Sequence, residues 1–221
     1  MPQPHTIQDY ELELQSLRGA VISMGRLAGQ MVDDIGSSLR SRAEVDADAA
    51  IEGERELDRT ELKIDEQARV ILIKYQPVAS DLREVTGALR ISTELERVGD
   101  DARRLLCRHA RLLPWISSDP NDVLGQLWKA ADRVFVGAMT AFAEHDAQKA
   151  NEIHDSRKKV KKLAKQALDE ISSRVRANQE LAKSYLEAIS AVNCLERVGD
   201  AATSIAATVI FVETAEDVRH T

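Results

Sequence analysis

The chain has 221 residues, of which 43% are hydrophobic, 30% charged and only 4% aromatic, with five prolines, ten glycines and a formal charge of −7. Such a composition fills a core but is poor in strand formers and turn residues, which argues against a β-rich fold, and its acidic balance argues against nucleic acid as the main partner. No apolar run reaches the ~18 residues of a membrane span and no basic-then-apolar leader opens the chain, so the expectation is a cytoplasmic all-α protein without a membrane span.

Apolar residues at Ile7, Tyr10, Leu14, Leu17, Val21, Met24, Ala28, Met31 and Ile35 alternate in steps of three and four, the seam of one long helix. Gly36, Ser37 and Ser38 weaken helix propensity and residues 39–43 read as a turn, before a second helix over 44–74. Gln76-Pro77 interrupts the pattern, and a third helix follows over 78–112. Residues 113–120, with Pro114 and Pro120, read as a linker; beyond it helices are expected over 121–144, 146–177 and 179–212. Length divided by a typical domain of ~150 residues leaves one large domain or two small repeats open. Three long helices on each side of a linker favour the second: an all-α chain of two pseudo-repeated three-helix bundles, residues 1–112 and 121–221.

Duplication has direct support, because Leu95-Glu-Arg-Val-Gly-Asp100 recurs unchanged as Leu195-Glu-Arg-Val-Gly-Asp200. On a helix, Leu95, Val98, Ala102 and Leu105 form one apolar stripe, and Leu195, Val198, Ala202, Ile205 and Val209 its counterpart. Glu96 and Asp100, like Glu196 and Asp200, are i,i+4 pairs about a quarter turn off that stripe, in a sector otherwise occupied by Leu82, Val85 and Leu89 or by Tyr185, Ile189 and Ile210. Like charges on a seam are costly unless a cation or donor meets them. Gly99 and Gly199 sit beside the acids, where a missing side chain admits a neighbouring helix or a bulky ligand shell.

The second helix offers a facing set. Its seam reads Glu54, Leu57, Glu61, Ile64, Ala68, Ile71 and Tyr75, with Asp58 one turn on from Glu54. Four or five carboxylates converging without cysteine or histidine make an all-oxygen site for a hard cation such as iron(III), manganese or magnesium. The alternative is that the acids are solvated or paired with Arg97, Lys63 and Arg103. Cys107 and Cys194 form no Cys-x-x-Cys pair and read as buried small hydrophobes, and His5, His109, His145, His154 and His220 read as isolated surface or satisfied side chains. The run Arg157-Lys-Lys-Val-Lys-Lys162 reads as a solvated helix face, with contact to a membrane or a transporter as a second reading.

Ser23-Met-Gly25, Ile51-Glu-Gly53, Glu61, Ile64-Asp-Glu66, Gln76-Pro-Val-Ala-Ser-Asp-Leu-Arg83, both hexapeptides and Asp217-Val-Arg-His220 together resemble the PhoU family of phosphate-transport accessory proteins along nearly the whole chain. The resemblance implies two three-helix repeats, a cytoplasmic location, peripheral to the inner membrane through partners, and no catalytic activity. It implies negative control of the phosphate-starvation response, by coupling the phosphate ABC transporter ATPase to the phosphate sensor histidine kinase; the heptad seams and acidic surface, for their part, permit the homodimer expected here. It also implies paired Glu/Asp-x-x-x-Asp motifs holding a multinuclear site, with iron, manganese, magnesium or zinc as candidates. Carried over, the first repeat keeps both pairs, Glu54/Asp58 and Glu96/Asp100, with Glu61 as a further candidate. The second keeps Glu196/Asp200, while the acids expected on its second helix fall at Arg157 and Lys161, which suggests a salt-bridge replacement there. Positions where the family often has a histidine and an asparagine hold Asp101 and Arg104, and Ala201 and Ser204.

Two other readings follow the residues. A carboxylate-bridged di-metal oxidase would need Glu-x-x-His pairs, and none of these acids has a histidine three residues on. A metal-free helical scaffold or adaptor is the remaining alternative; no nucleophile with its base and no phosphate-cradling glycine loop points to an enzyme.

Overall fold

The computed structural model describes residues 4–41, 45–116 and 122–218; residues 42–43 of the expected turn, Glu44 at the expected start of the second helix, 117–120 of the expected linker and His220 lie outside them, as do the side chains of His5 and Ile7. The described residues are all-helical: α1 (Pro4–Ser41), α2 (Ala47–Tyr75), α3 (Ala79–Leu106), α4 (His109–Leu112), α5 (Val123–Glu144), α6 (Ala147–Asp155), α7 (Arg157–Ala177) and α8 (Tyr185–Thr214), with 3-10 turns at Leu113–Trp115 and Gln179–Ser184. Asp46, Asp122 and Asp146 start α2, α5 and α6, each carboxylate accepting from the backbone N–H three residues on, at 3.0, 2.7 and 2.9 Å. Before Pro77, Gln76 takes a left-handed turn at φ 48° and ends α2.

Helices α1, α2 and α3 pack on one another, α5 to α8 pack on one another, and the two sets meet through α3 against α8 and α1 against α5. The α3–α8 pair runs antiparallel, with Gly87 against Val212 near one end and the Asp101 carbonyl beside the Cys194 thiol near the other. Between residues 201 and 210 of α8, every residue but Ser204 is buried, as expected of a helix whose sequence is apolar nearly all round. Burial pushes the Cys194 thiol up to about 12, so it is an inert core group.

The helix expected over 179–212 opens with the 3-10 turn and becomes α-helical only at Tyr185, and four further boundaries differ from expectation for physical reasons. First, α1 runs through Gly36 to Ser41, because Gly36 is a packing site: a Cβ there would fall inside the Trp128 indole, whose Nε1 donates to the Val32 carbonyl at 2.9 Å. Second, α3 stops at Leu106 and Cys107 is exposed at its end; a turn at Cys107 and Arg108 redirects the chain into α4. Third, the start of the expected linker is core: Trp115 and Ile116 are buried, Trp115 Nε1 donates to Ser184 Oγ at 2.7 Å, and Arg174 donates to the Trp115 and Pro114 carbonyls. Fourth, the helix expected over 146–177 breaks at Ser156, where no Pro or Gly warns of it. Its hydroxyl takes the Glu152 carbonyl at 2.9 Å, a back-bond that bends helices.

Gly36→Ala adds helix propensity of about 1 kcal/mol but drives a methyl into a ring that a hydrogen bond holds in place. We expect a net loss of about 1–2 kcal/mol, read as a melting point lower by about 2–8 °C in circular dichroism.

Candidate functional site

The repeated hexapeptides lie in α3 and α8, one on each side of the antiparallel crossing. In both copies Leu, Val and Gly are buried, the Glu and Asp are half-buried and the Arg is exposed. A Cβ on Gly99 would overlap Leu57 of α2, and one on Gly199 would overlap Val160 of α7. Leu57 is thus the counterpart of Val160, which sets Glu54 opposite Arg157 and Asp58 opposite Lys161 in a comparison of the two halves.

In the first half the acids gather. Burial, then the neighbouring carboxylates of Glu61, Asp100, Asp58 and Glu54, pushes the Glu96 carboxyl above its ordinary range. Burial followed by Asp65 does the same to Glu61, against a weak hydrogen bond from Thr93 at 3.5 Å; Asp58 contributes a smaller upward push. A cation already stands among them: Arg103 Nε lies 2.7 Å from Glu54 and its Nη2 2.9 Å from Asp100, while Arg104 reaches the other Asp100 oxygen at 2.5 Å. Among the described residues no ion pair reaches Asp58, Glu61 or Glu96, and no three Asp, Glu, His or Cys side chains are closed into a ready cation cage. The donor set is all oxygen and carries uncompensated like charge, which fits a hard cation; holding one at Glu54 and Asp100 requires Arg103 to move aside.

The second half resolves its charge differently. Arg157 Nε, at the start of α7, lies 2.8 Å from Asp200. Thr203, where the first half has Arg103, is buried with its hydroxyl on the Gly199 carbonyl at 2.8 Å. Lys161 is exposed, and among the described residues neither it nor Glu196 forms an ion pair.

The pairing missed by sequence reasoning spans the crossing. Asp101, one residue past the first hexapeptide, is buried and takes two hydrogen bonds from Arg197 of the second, both at 2.6 Å. Arg104 stands 3.7 Å from the same carboxylate. Alternating charges therefore run without a gap from α2 to α8: Glu54, Arg103, Asp100, Arg104, Asp101, Arg197. The only signal in sequence was the asymmetry of Asp101 against Ala201. Arg97, the counterpart of Arg197, pairs within its own helix with Glu94, whose carboxyl burial nonetheless pushes upward.

A duplicated all-helical bundle with an acidic pair at the same point of each third helix defines a class, and the comparisons place the chain within it. The PhoU domain family model matches residues 21–108 and again 125–209. The chain is 32% identical over 222 residues to the phosphate-specific transport system accessory protein PhoU homolog of Pseudomonas aeruginosa, covering 98% of this chain and 90% of that protein. It is 28% identical over 219 residues to the phosphate-specific transport system accessory protein PhoU of Escherichia coli, covering 98% and 90%. The crystal structure of PhoU from Pseudomonas aeruginosa matches with a TM-score of 0.86 at 29% identity, over 94% of this chain and all of that one. The regulatory protein PhoU from Streptococcus pneumoniae shares the fold, with a TM-score of 0.81 at 22% identity over 95% and 99% of the two chains. The chain belongs to the PhoU family.

Two outcomes test this geometry. Removing Arg197 strands a buried carboxylate, whereas removing Asp101 leaves a half-exposed guanidinium that water can reach. Arg197→Ala should therefore cost about 2 kcal/mol and Asp101→Ala about 1, with the double variant no worse than Arg197→Ala, in urea titrations. The second concerns pH in protein stripped of cations by chelation. A raised carboxyl contributes stability that is present below its ordinary range and lost as pH rises through the raised value. Glu96→Gln, facing Glu54, Asp58 and Glu61 of α2 beside Asp100 and Arg103 of α3, should raise the melting point at pH 7 and leave it unchanged near pH 4.

Proposed function

We propose that this protein is a non-enzymatic regulator of phosphate homeostasis in the cytoplasm. It restrains the phosphate-starvation response by coupling the phosphate transporter's ATPase to a sensor histidine kinase. Support comes above all from the PhoU match in both halves and from relatives named as accessory proteins of phosphate-specific transport over nearly their full length. No helix among the described residues is long and apolar enough to cross a membrane, which accords with action through partner proteins.

The proposal includes one metal site, in the first half. Glu54, Asp58, Glu96 and Asp100, with Glu61 beside them, would hold a multinuclear iron, manganese, magnesium or zinc site. The bound cations would neutralise the like charge now resting on Glu96 and Glu61. Glu196 and Asp200 form the degenerate counterpart, with Arg157 on Asp200 in place of metal. A specific observation favours a second reading, a metal-free helical scaffold: Arg103 already pairs with Glu54 and Asp100.

Element-resolved metal analysis of the purified protein separates the two. We expect Glu96→Ala/Asp100→Ala to abolish bound metal and the metal-dependent rise in melting point, and Glu196→Ala/Asp200→Ala to change neither. Two equally occupied sites overturn the one-site assignment, and no metal in any preparation favours the scaffold. Capture of the transporter ATPase and the sensor kinase on immobilised protein tests the coupling role, which falls if neither binds.

A further inference from the structure

At the Ser156 break a cavity of about 330 Å³ lies between α5 and the α6–α7 corner, lined by none of the acids of the first half. Its floor is apolar, built from Val134, Ile153, Val160 and Leu163. Its rim is basic: Lys129 and Arg133 stand one turn apart on α5, and Lys159 faces them from α7. Exposed Lys158, Lys161, Lys162 and Lys165 add further positive charge around α7 outside the cavity. Among the described residues none of these four, nor Arg133 or Lys159, is in an ion pair, although the chain as a whole carries a charge of −7.

The shape and the charge together select an occupant. A cavity of this volume lies at the small end of ligand sites and takes one large apolar side chain, while the cations spread over more surface than a small ligand neutralises. A flat anionic bilayer would meet the lysine tips but leave the recessed apolar floor unfilled, since peripheral membrane helices bury apolar residues that project. An amphipathic helix bearing acidic residues meets both features: one apolar side chain enters the cavity and carboxylates one turn away reach the rim. We infer that the α5–α7 cleft of the second half docks an acidic amphipathic helix of a partner protein, with the apolar anchor on Val134, Ile153 and Leu163 and the acids on Arg133 and Lys159.

The probe is a fluorescently labelled helical peptide of Glu, Leu and Ala with Leu on one face, titrated into the full chain and followed by anisotropy. Saturable binding is expected, weakened at least tenfold by Arg133→Glu/Lys159→Glu. Ala130→Phe should weaken it similarly, since it fills the cavity without changing charge. A matched charge reversal on α2, Arg55→Glu/Lys63→Glu, should leave it unchanged, and circular dichroism verifies that each variant is folded. Absence of saturable binding overturns the inference, as does binding that ignores both cleft variants. So does Lys159-dependent capture of the chain by vesicles of phosphatidylcholine and phosphatidylglycerol when the peptide does not bind, an outcome that assigns the face to a membrane instead.

Discussion

Each of the two central helices must satisfy several neighbours within one hexapeptide, and the rest of the structure is arranged around that constraint. In α3 the Leu and Val face the core, Gly99 receives Leu57 of α2, and Glu96 and Asp100 flank that contact. In α8 the same residue types receive Val160 of α7, and Arg197 crosses to Asp101. A residue larger than Gly would separate the second helix from the third in either half. A shift of register by one residue would move the Arg off the crossing and a charge into the core. The recurrence of Leu, Val and Gly, in halves that otherwise match weakly, follows from this crowding without reference to any ligand.

Close packing at the glycine brings the facing positions of the second helix near the acids, so whatever stands there sets the local electrostatics. Two carboxylates about 4 Å apart repel by about 4 kcal/mol at an effective dielectric near 20. The first half gathers five acids and offsets part of that with Arg103 from the same helix. The second half replaces two of the acids by Arg157 and Lys161, of which Arg157 meets Asp200. One backbone geometry therefore carries two charge states, one left open to an added cation and one partly closed by a side chain.

Much of this was legible in the sequence because it is local or repeated. The α-helical periodicity, the Gln76-Pro77 stop and the duplicated hexapeptide are all written within a few residues. The correspondence of Arg157 and Lys161 with Glu54 and Asp58 came from the family pattern, and the contacts of Leu57 and Val160 with the two glycines give it a physical basis. What escaped depends on partners distant in sequence. Gly36 reads as a helix breaker until Trp128, ninety-two residues later, is seen to occupy its missing side chain. Trp115 reads as linker until Ser184 and Arg174 anchor it, and Asp101 has no meaning until Arg197 arrives from the other half. Ser156 makes a local back-bond at the break, but serine makes such bonds inside unbroken helices as well, as Ser172 and Ser173 do in α7.

The charge chain from Glu54 to Arg197 gives the acidic face a direct physical connection to the contact between halves. Asp100 faces α2 and Asp101 faces α8, and Arg104 touches both. A cation that took Asp100 would compete with Arg103 and Arg104 for the same oxygens. Arg104 stands 3.7 Å from Asp101, the carboxylate that Arg197 already holds. Arg104 is thus a single side chain that touches carboxylates on both faces of α3. In the second half the equivalent of Arg104 is Ser204 and the equivalent of Asp101 is Ala201, so the charge chain has no counterpart there. The asymmetry of the two halves is thus expressed twice, in which acids lack an ion pair and in which half carries the buried carboxylate at the crossing.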